Sequence, residues 1–207
     1  MSALAAAIAA AWRATSTSEF VAAALGFAYV VLVIRQHRAG WLAALASTAL
    51  YLQVFAVARL YMQAALQGYY VAVAAYGWWA WRRTGTTAPL AVTRASGRLQ
   101  LAGLAAALVA AALSAWWLAA GDASPAPFLD ALTTWASVFA TWLQARKKLD
   151  NWAWWLAIDT LIALLCWQQR LYLSMILYIL YLGLAAIGWR SWYRDMQSAA
   201  GTRGAGG

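Results

Sequence analysis

Six carboxylates occur in the chain, and Asp159 is the one placed where a charge is hardest to explain. It lies mid-way along an apolar run, where a charge costs at least roughly 3 kcal/mol in a bilayer. Such a residue is expected to face protein rather than lipid. Trp155 precedes it by one helical turn and Asn151 by two, so all three share a helix face. A carboxylate one turn from an indole suits a flat, cationic aromatic ligand: the ring stacks on Trp and its charge meets Asp. The alternative is a protonated Asp bonded to a neighbouring helix. Two further pairs have compatible spacing. Gln67 and Tyr70 share a face, as do Tyr178 and Tyr181. Gln67 is expected to point inward, because an amide facing lipid is costly, and Gln63 one turn earlier can share that face. Glu19, Asp122, Asp130, Asp150 and Asp195 fall at the ends of apolar runs or in loops, where helix capping and solvation account for them.

The elements that must position these groups are membrane helices. The chain has 207 residues, 65% hydrophobic and 10% charged, against roughly 25% charged for a soluble domain. Seven apolar runs read as helical spans, near residues 20–34, 41–58, 61–81, 99–120, 128–145, 152–168 and 172–189. The N-terminal run is too short to span and lacks the basic start of a signal peptide, so a short interfacial helix is expected. The net charge of +9 is assigned to span flanks rather than to nucleic-acid binding. One cysteine, Cys166, excludes an internal disulfide. One loop histidine, His37, gives no metal pair, and no nucleophile or phosphate-loop motif is present. Neither an enzyme nor a cofactor or metal site is expected.

The text of the chain is duplicated. Sliding by 111 positions without a gap lays Arg35 on Arg146, Trp41 on Trp152, Arg59 on Arg170, Leu60-Tyr61 on Leu171-Tyr172, Tyr70 on Tyr181, Gly77-Trp78 on Gly188-Trp189 and Trp81 on Trp192. Chance matching of an Ala/Leu-rich text would align Ala and Leu, not Trp, Tyr, Gly and Arg. The repeat covers three spans, and the fourth has no counterpart. Residues 1–18 are then an external or interfacial segment, 19–83 the first repeat, 84–121 a linker with the fourth span, 122–194 the second repeat and 195–207 a disordered cytoplasmic tail. Three spans reverse the chain across the membrane and a fourth restores it, so the repeats are parallel about an axis along the membrane normal. The predicted fold is thus an all-α integral membrane protein with a three-one-three arrangement.

Of the 15 Lys and Arg residues, twelve fall on the side holding the loops after spans one, three and five and the C-terminal tail. That side is predicted cytoplasmic, with the N-terminus outside. The mates of Trp155 and Asp159 are Ala44 and Thr48, so an aromatic, acidic wall opposes a small, neutral one. The ligand site is expected between the two repeats. Trp78, Trp79, Trp81, Trp116, Trp117, Trp189 and Trp192 lie near span ends and read as interfacial anchors. Gly77 and Gly188 read as points of close helix contact.

The stretch LYMQAALQGYYVAVAAYGWWAW at 60–81, and DNWAWWLAID at 150–159 with the second Gly-Trp signature after it, resemble the nicotinamide riboside transporter (PnuC) family. The likeness covers about residues 19–192. It implies a bacterial inner-membrane protein of three-plus-one-plus-three helices, typically a homotrimer. It implies uptake of a phosphate-free vitamin precursor by facilitated diffusion, with trapping by cytoplasmic phosphorylation. The family's WxxxN motif falls on Trp155 and Asp159, with Asp in place of Asn; the resemblance implies stacking by the Trp and hydrogen bonding at the second position. Gln67 matches a family Gln. The sequence Ala74-Ala75-Tyr76-Gly77-Trp78 lacks the Asn frequent before the family's first Gly-Trp. Nicotinamide riboside is the first expected substrate and thiamine the alternative, since both carry a fixed positive ring nitrogen; neutral riboflavin fits Asp159 less well. A non-transport membrane subunit with a merely packed polar core is the remaining alternative.

Overall fold

The computed structural model describes residues 17–57, 61–81, 90–118, 127–169 and 171–204. Seven helices account for nearly all of them: α1 (Thr17–Ile34), α2 (Ala39–Val57), α3 (Tyr61–Trp81), α4 (Gly97–Leu118), α5 (Pro127–Ala145), α6 (Asn151–Gln168) and α7 (Tyr172–Gly204). Apart from the C-terminal end of α7, the ends of these helices follow the predicted runs closely, because in lipid a backbone must bond to itself and helices satisfy that locally. Ala39–Val57, Gly97–Trp117 and Ser174–Ala199 are each long and apolar enough to cross a membrane. The expected interfacial N-terminal helix, Arg13, Arg59, Arg82, Arg83, Asp122 and Arg170 lie outside the described residues, as do the side chains of Glu19 and Gln63.

Two compact units are present, residues 1–90 and 91–207. In the first, α1 packs on α2 and α2 on α3. The Ser47 hydroxyl donates to the Ala22 carbonyl at 2.7 Å and fastens α2 to α1. In the second, α4 packs on α5, α5 on α6 and α6 on α7, so the fourth helix groups with the second repeat.

The duplicated text recurs as duplicated geometry inside each unit. Helix α1 ends with Gln36 at φ 52° and helix α5 with Lys147 at φ 50°. At the first corner the Gln36 N–H donates to the Val33 carbonyl at 2.9 Å and the His37 N–H to Leu32 at 2.8 Å. At the second, the Lys147 N–H donates to Gln144 at 3.0 Å and the Lys148 N–H to Leu143 at 2.9 Å. Both corners are the paired left-handed helix stop that satisfies the last free carbonyls. Further on, the Trp41 and Trp81 rings meet edge-on at 5.4 Å and 86°, and Trp152 and Trp192 meet at 5.4 Å and 87°.

Glycine makes these joints possible. A Cβ on Gly188 would lie 2.6 Å from the Trp152 ring carbons, and one on Gly77 would overlap the ring of Trp41. Gly103 on α4 holds the Phe139 ring of α5 in the same manner. The close contacts expected at Gly77 and Gly188 are therefore present, each against a tryptophan two helices' worth of chain away. The reading of Trp192 as an interfacial anchor is corrected: it is 0% exposed, a core residue locked on Trp152. Trp81 likewise packs on Trp41, whereas Trp79, Trp116 and Trp117 are exposed.

Two other expectations change. Residues 195–204 are helical, continuing α7, where a disordered tail was predicted. Propagation of an existing helix needs only modest propensity, which Met196, Ala199 and Ala200 supply. The linker before α4 is also tied down. Thr93 bridges Lys148 through two backbone bonds, from the Thr93 N–H to the Lys147 carbonyl at 3.1 Å and from the Leu149 N–H to the Thr93 carbonyl at 2.9 Å. The Lys148 ammonium reaches Thr93 Oγ1 at 2.9 Å. Asp150, read from sequence as a solvated cap, makes no side-chain cap bond and is buried. Its carboxylate instead accepts the Ala95 N–H at 2.6 Å and pairs with Arg94 at 3.2 Å.

Candidate ligand site

Helix α6 carries the central group. Asp159 is 5% exposed and has no hydrogen bond or ion pair among the described residues. Burying a carboxylate without a partner costs far more than leaving it in water, so its place in the fold is not a contribution to stability. Half-buried Trp155 lies one turn away on the same helix and packs against the seam of Ala136, Ala140 and Ile158 where α5 meets α6. Trp155 and Asp159 stand one turn apart on α6. The matching position in the first repeat, Thr48, is self-satisfied: its hydroxyl donates to the Ala44 carbonyl at 2.8 Å. One repeat carries a carboxylate where the other carries a hydroxyl whose proton is committed to its own helix.

Asn151 sits at the start of α6 and is 0% exposed. Its amide donates to the Lys148 carbonyl at 2.6 Å, which braces the corner, while its Oδ1 has no partner among the described residues. It therefore belongs to the N-terminal end of α6, two turns from Asp159. On α7, Tyr178 and Tyr181 are half-buried with ring centroids 6.1 Å apart. On α3 of the first unit, Gln67 and Tyr70 are half-buried, and Tyr70 lies 5.6 Å from Tyr69.

Sequence reasoning missed the buried face of α5. Thr133, Ser137, Thr141 and Gln144 are all buried there. The signal was available: polar residues at four-residue spacing inside an apolar run. Among the described residues, no group of three acidic, His or Cys side chains could hold a metal ion.

Helices long and apolar enough to cross a membrane, and a further helix carrying a buried acid with no partner among the described residues, point to the membrane-protein class. Residues 16–194 match the family model described as nicotinamide mononucleotide transporter, and with that span of the chain covered the protein belongs to this family of membrane transporters. The chain is also similar to a solved structure, the crystal structure of the vitamin B3 transporter PnuC. The TM-score is 0.69 and the sequence identity 25%, over 93% of this chain and 87% of that one. No curated protein matches the chain in sequence.

Proposed function

We propose that the chain takes up nicotinamide riboside across a bacterial inner membrane. Movement is by facilitated diffusion, and phosphorylation in the cytoplasm traps the solute. The observation that carries the choice of substrate is Asp159: a buried, unpartnered carboxylate one turn from an indole fits a cationic aromatic ring. Trp155 stacks the ring and Asp159 meets its charge. Gln67, Tyr70, Tyr178, Tyr181 and Asn151 are proposed as further polar and aromatic contacts. The family and the similarity to a vitamin B3 transporter support the same class of solute. We also infer the three-one-three arrangement with parallel repeats, supported by the matching corners and Trp–Gly–Trp joints. The N-terminus is then outside and the C-terminus cytoplasmic, and the assembled form is a homotrimer.

The test is quenching of tryptophan fluorescence in the purified protein by nicotinamide riboside, thiamine and riboflavin, with Asp159→Asn alongside. Nicotinamide riboside should bind best, and Asp159→Asn should weaken it at least roughly tenfold, since a charge pair at low effective dielectric exceeds 1.4 kcal/mol. Preferential binding of thiamine would transfer the assignment to that vitamin. Binding of none of the three would overturn the reading. Uptake by cells lacking their own transporter then separates a transporter from a binding subunit.

A further inference from the structure

Helix α5 buries the hydroxyl residues Thr133, Ser137 and Thr141 and packs on the helix that carries Trp155 and Asp159. Helices α5 and α6 pack together through the short corner at 146–150 and so run antiparallel. Their seam contains Ala136, Ala140 and Ile158. Ser137 follows Ala136, Thr141 follows Ala140, and Asp159 follows Ile158, each by one residue. One residue turns a helix by about 100°. On two antiparallel helices facing each other, that turn carries both side chains to the same side of the seam. Depth agrees as well. Ser137 and Asp159 are equidistant along the chain from Lys148 at the corner, and so are Thr141 and Trp155. Ser137 therefore lies level with Asp159, and Thr141 level with Trp155.

The hydrogen-bonding state of this wall is specific. Ser137 donates its hydroxyl proton to the Thr133 carbonyl at 2.8 Å, and Thr141 donates to the Ser137 carbonyl at 2.7 Å. With the protons committed to the helix, only oxygen lone pairs remain to meet a ligand. Both side chains are more than nine-tenths buried, so those lone pairs are not facing water. The carboxylate level with them on α6 adds acceptors and no committed donor. A surface of acceptors and one indole is matched by a ligand that brings donors and an aromatic cation.

We propose that Ser137 and Thr141 accept hydrogen bonds from the sugar hydroxyls of a ribosylated cationic ring, while Asp159 and Trp155 hold the ring. This rests on the proposed function and deepens it, by assigning recognition of the sugar to α5.

Binding of nicotinamide riboside and of its 2′- and 3′-deoxy analogues to the full chain tests this, with Ser137→Ala and Thr141→Val. Thr160→Val is the control, because its hydroxyl is bonded to its own helix in the same way but is exposed. The wild type should favour the riboside over one deoxy analogue by roughly tenfold, the worth of one hydrogen bond. One α5 variant should lose that preference by weakening the riboside alone, and Thr160→Val should retain it. Variants that keep the full preference, or weaken riboside and deoxyriboside equally, overturn the assignment of α5 while leaving the transporter reading intact. A wild type that binds no nicotinamide riboside overturns the proposed function, and this proposal with it.

Discussion

Gly188→Ala is the sharpest probe of the joint on which the second unit closes. The added methyl carbon would stand 2.6 Å from the Trp152 ring, where ordinary contact begins at 3.4 Å, so roughly 0.8 Å must be recovered. Trp152 cannot withdraw easily, since it is buried and meets Trp192 edge-on at 5.4 Å. The helices must therefore part or a ring must leave its preferred rotamer. Overpacking of this kind costs about 1–3 kcal/mol. At about 2–4 °C per kcal/mol for a chain of this size, the apparent Tm should fall by roughly 2–12 °C. The assay is thermal unfolding in detergent, followed by loss of the monodisperse chromatographic peak. Trp152→Ala will itself destabilise, but Gly188→Ala added to it should cost almost nothing, because the clash has lost its partner. A Gly188→Ala protein that melts with the wild type would falsify the close-contact argument. So would a double variant in which the two effects simply add.

Asp150→Ala should lower the apparent Tm more than Arg94→Ala. The Asp150 side chain is 4% exposed and satisfies the Ala95 N–H, whose loss leaves a buried donor at about 1–3 kcal/mol; Arg94 is 57% exposed, and its water-facing guanidinium limits its share of the pair to about 1 kcal/mol although the carboxylate is buried. Gln36→Gly and Lys147→Gly should each stabilise by about 0.5–1 kcal/mol, seen as a higher Tm, because both positions hold a positive φ that glycine adopts without strain. Equal or lower melting at both would show that the left-handed corners carry no strain. Reporter fusions should place residue 207 on the cytoplasmic side and residue 1 on the outer side, following the excess of Lys and Arg in the loops; the reverse pattern would refute the orientation.

The helices, most of their ends and a duplicated text were legible in the sequence. Long apolar runs have one stable form in lipid, and a gapless offset that aligns Trp, Gly and Arg survives as matching corners and joints. It also singled out Asp159 and Trp155, because a charge inside an apolar run is conspicuous whatever surrounds it. Which side chains lie inside was not legible in the sequence and follows from helix packing. Trp192 and Trp79 both lie near span ends, yet one is 0% exposed and the other lies on the surface. Ser137 and Thr160 are both lone hydroxyls bonded to their own helices, and one is buried while the other is exposed. Asp150 looked like a cap and proved to be a clasp on Ala95, a partner 55 positions away. The physical reason is common to all three. A membrane helix is apolar on every side, so hydrophobic periodicity does not mark its inner face. That face is chosen by packing against partners distant in the chain.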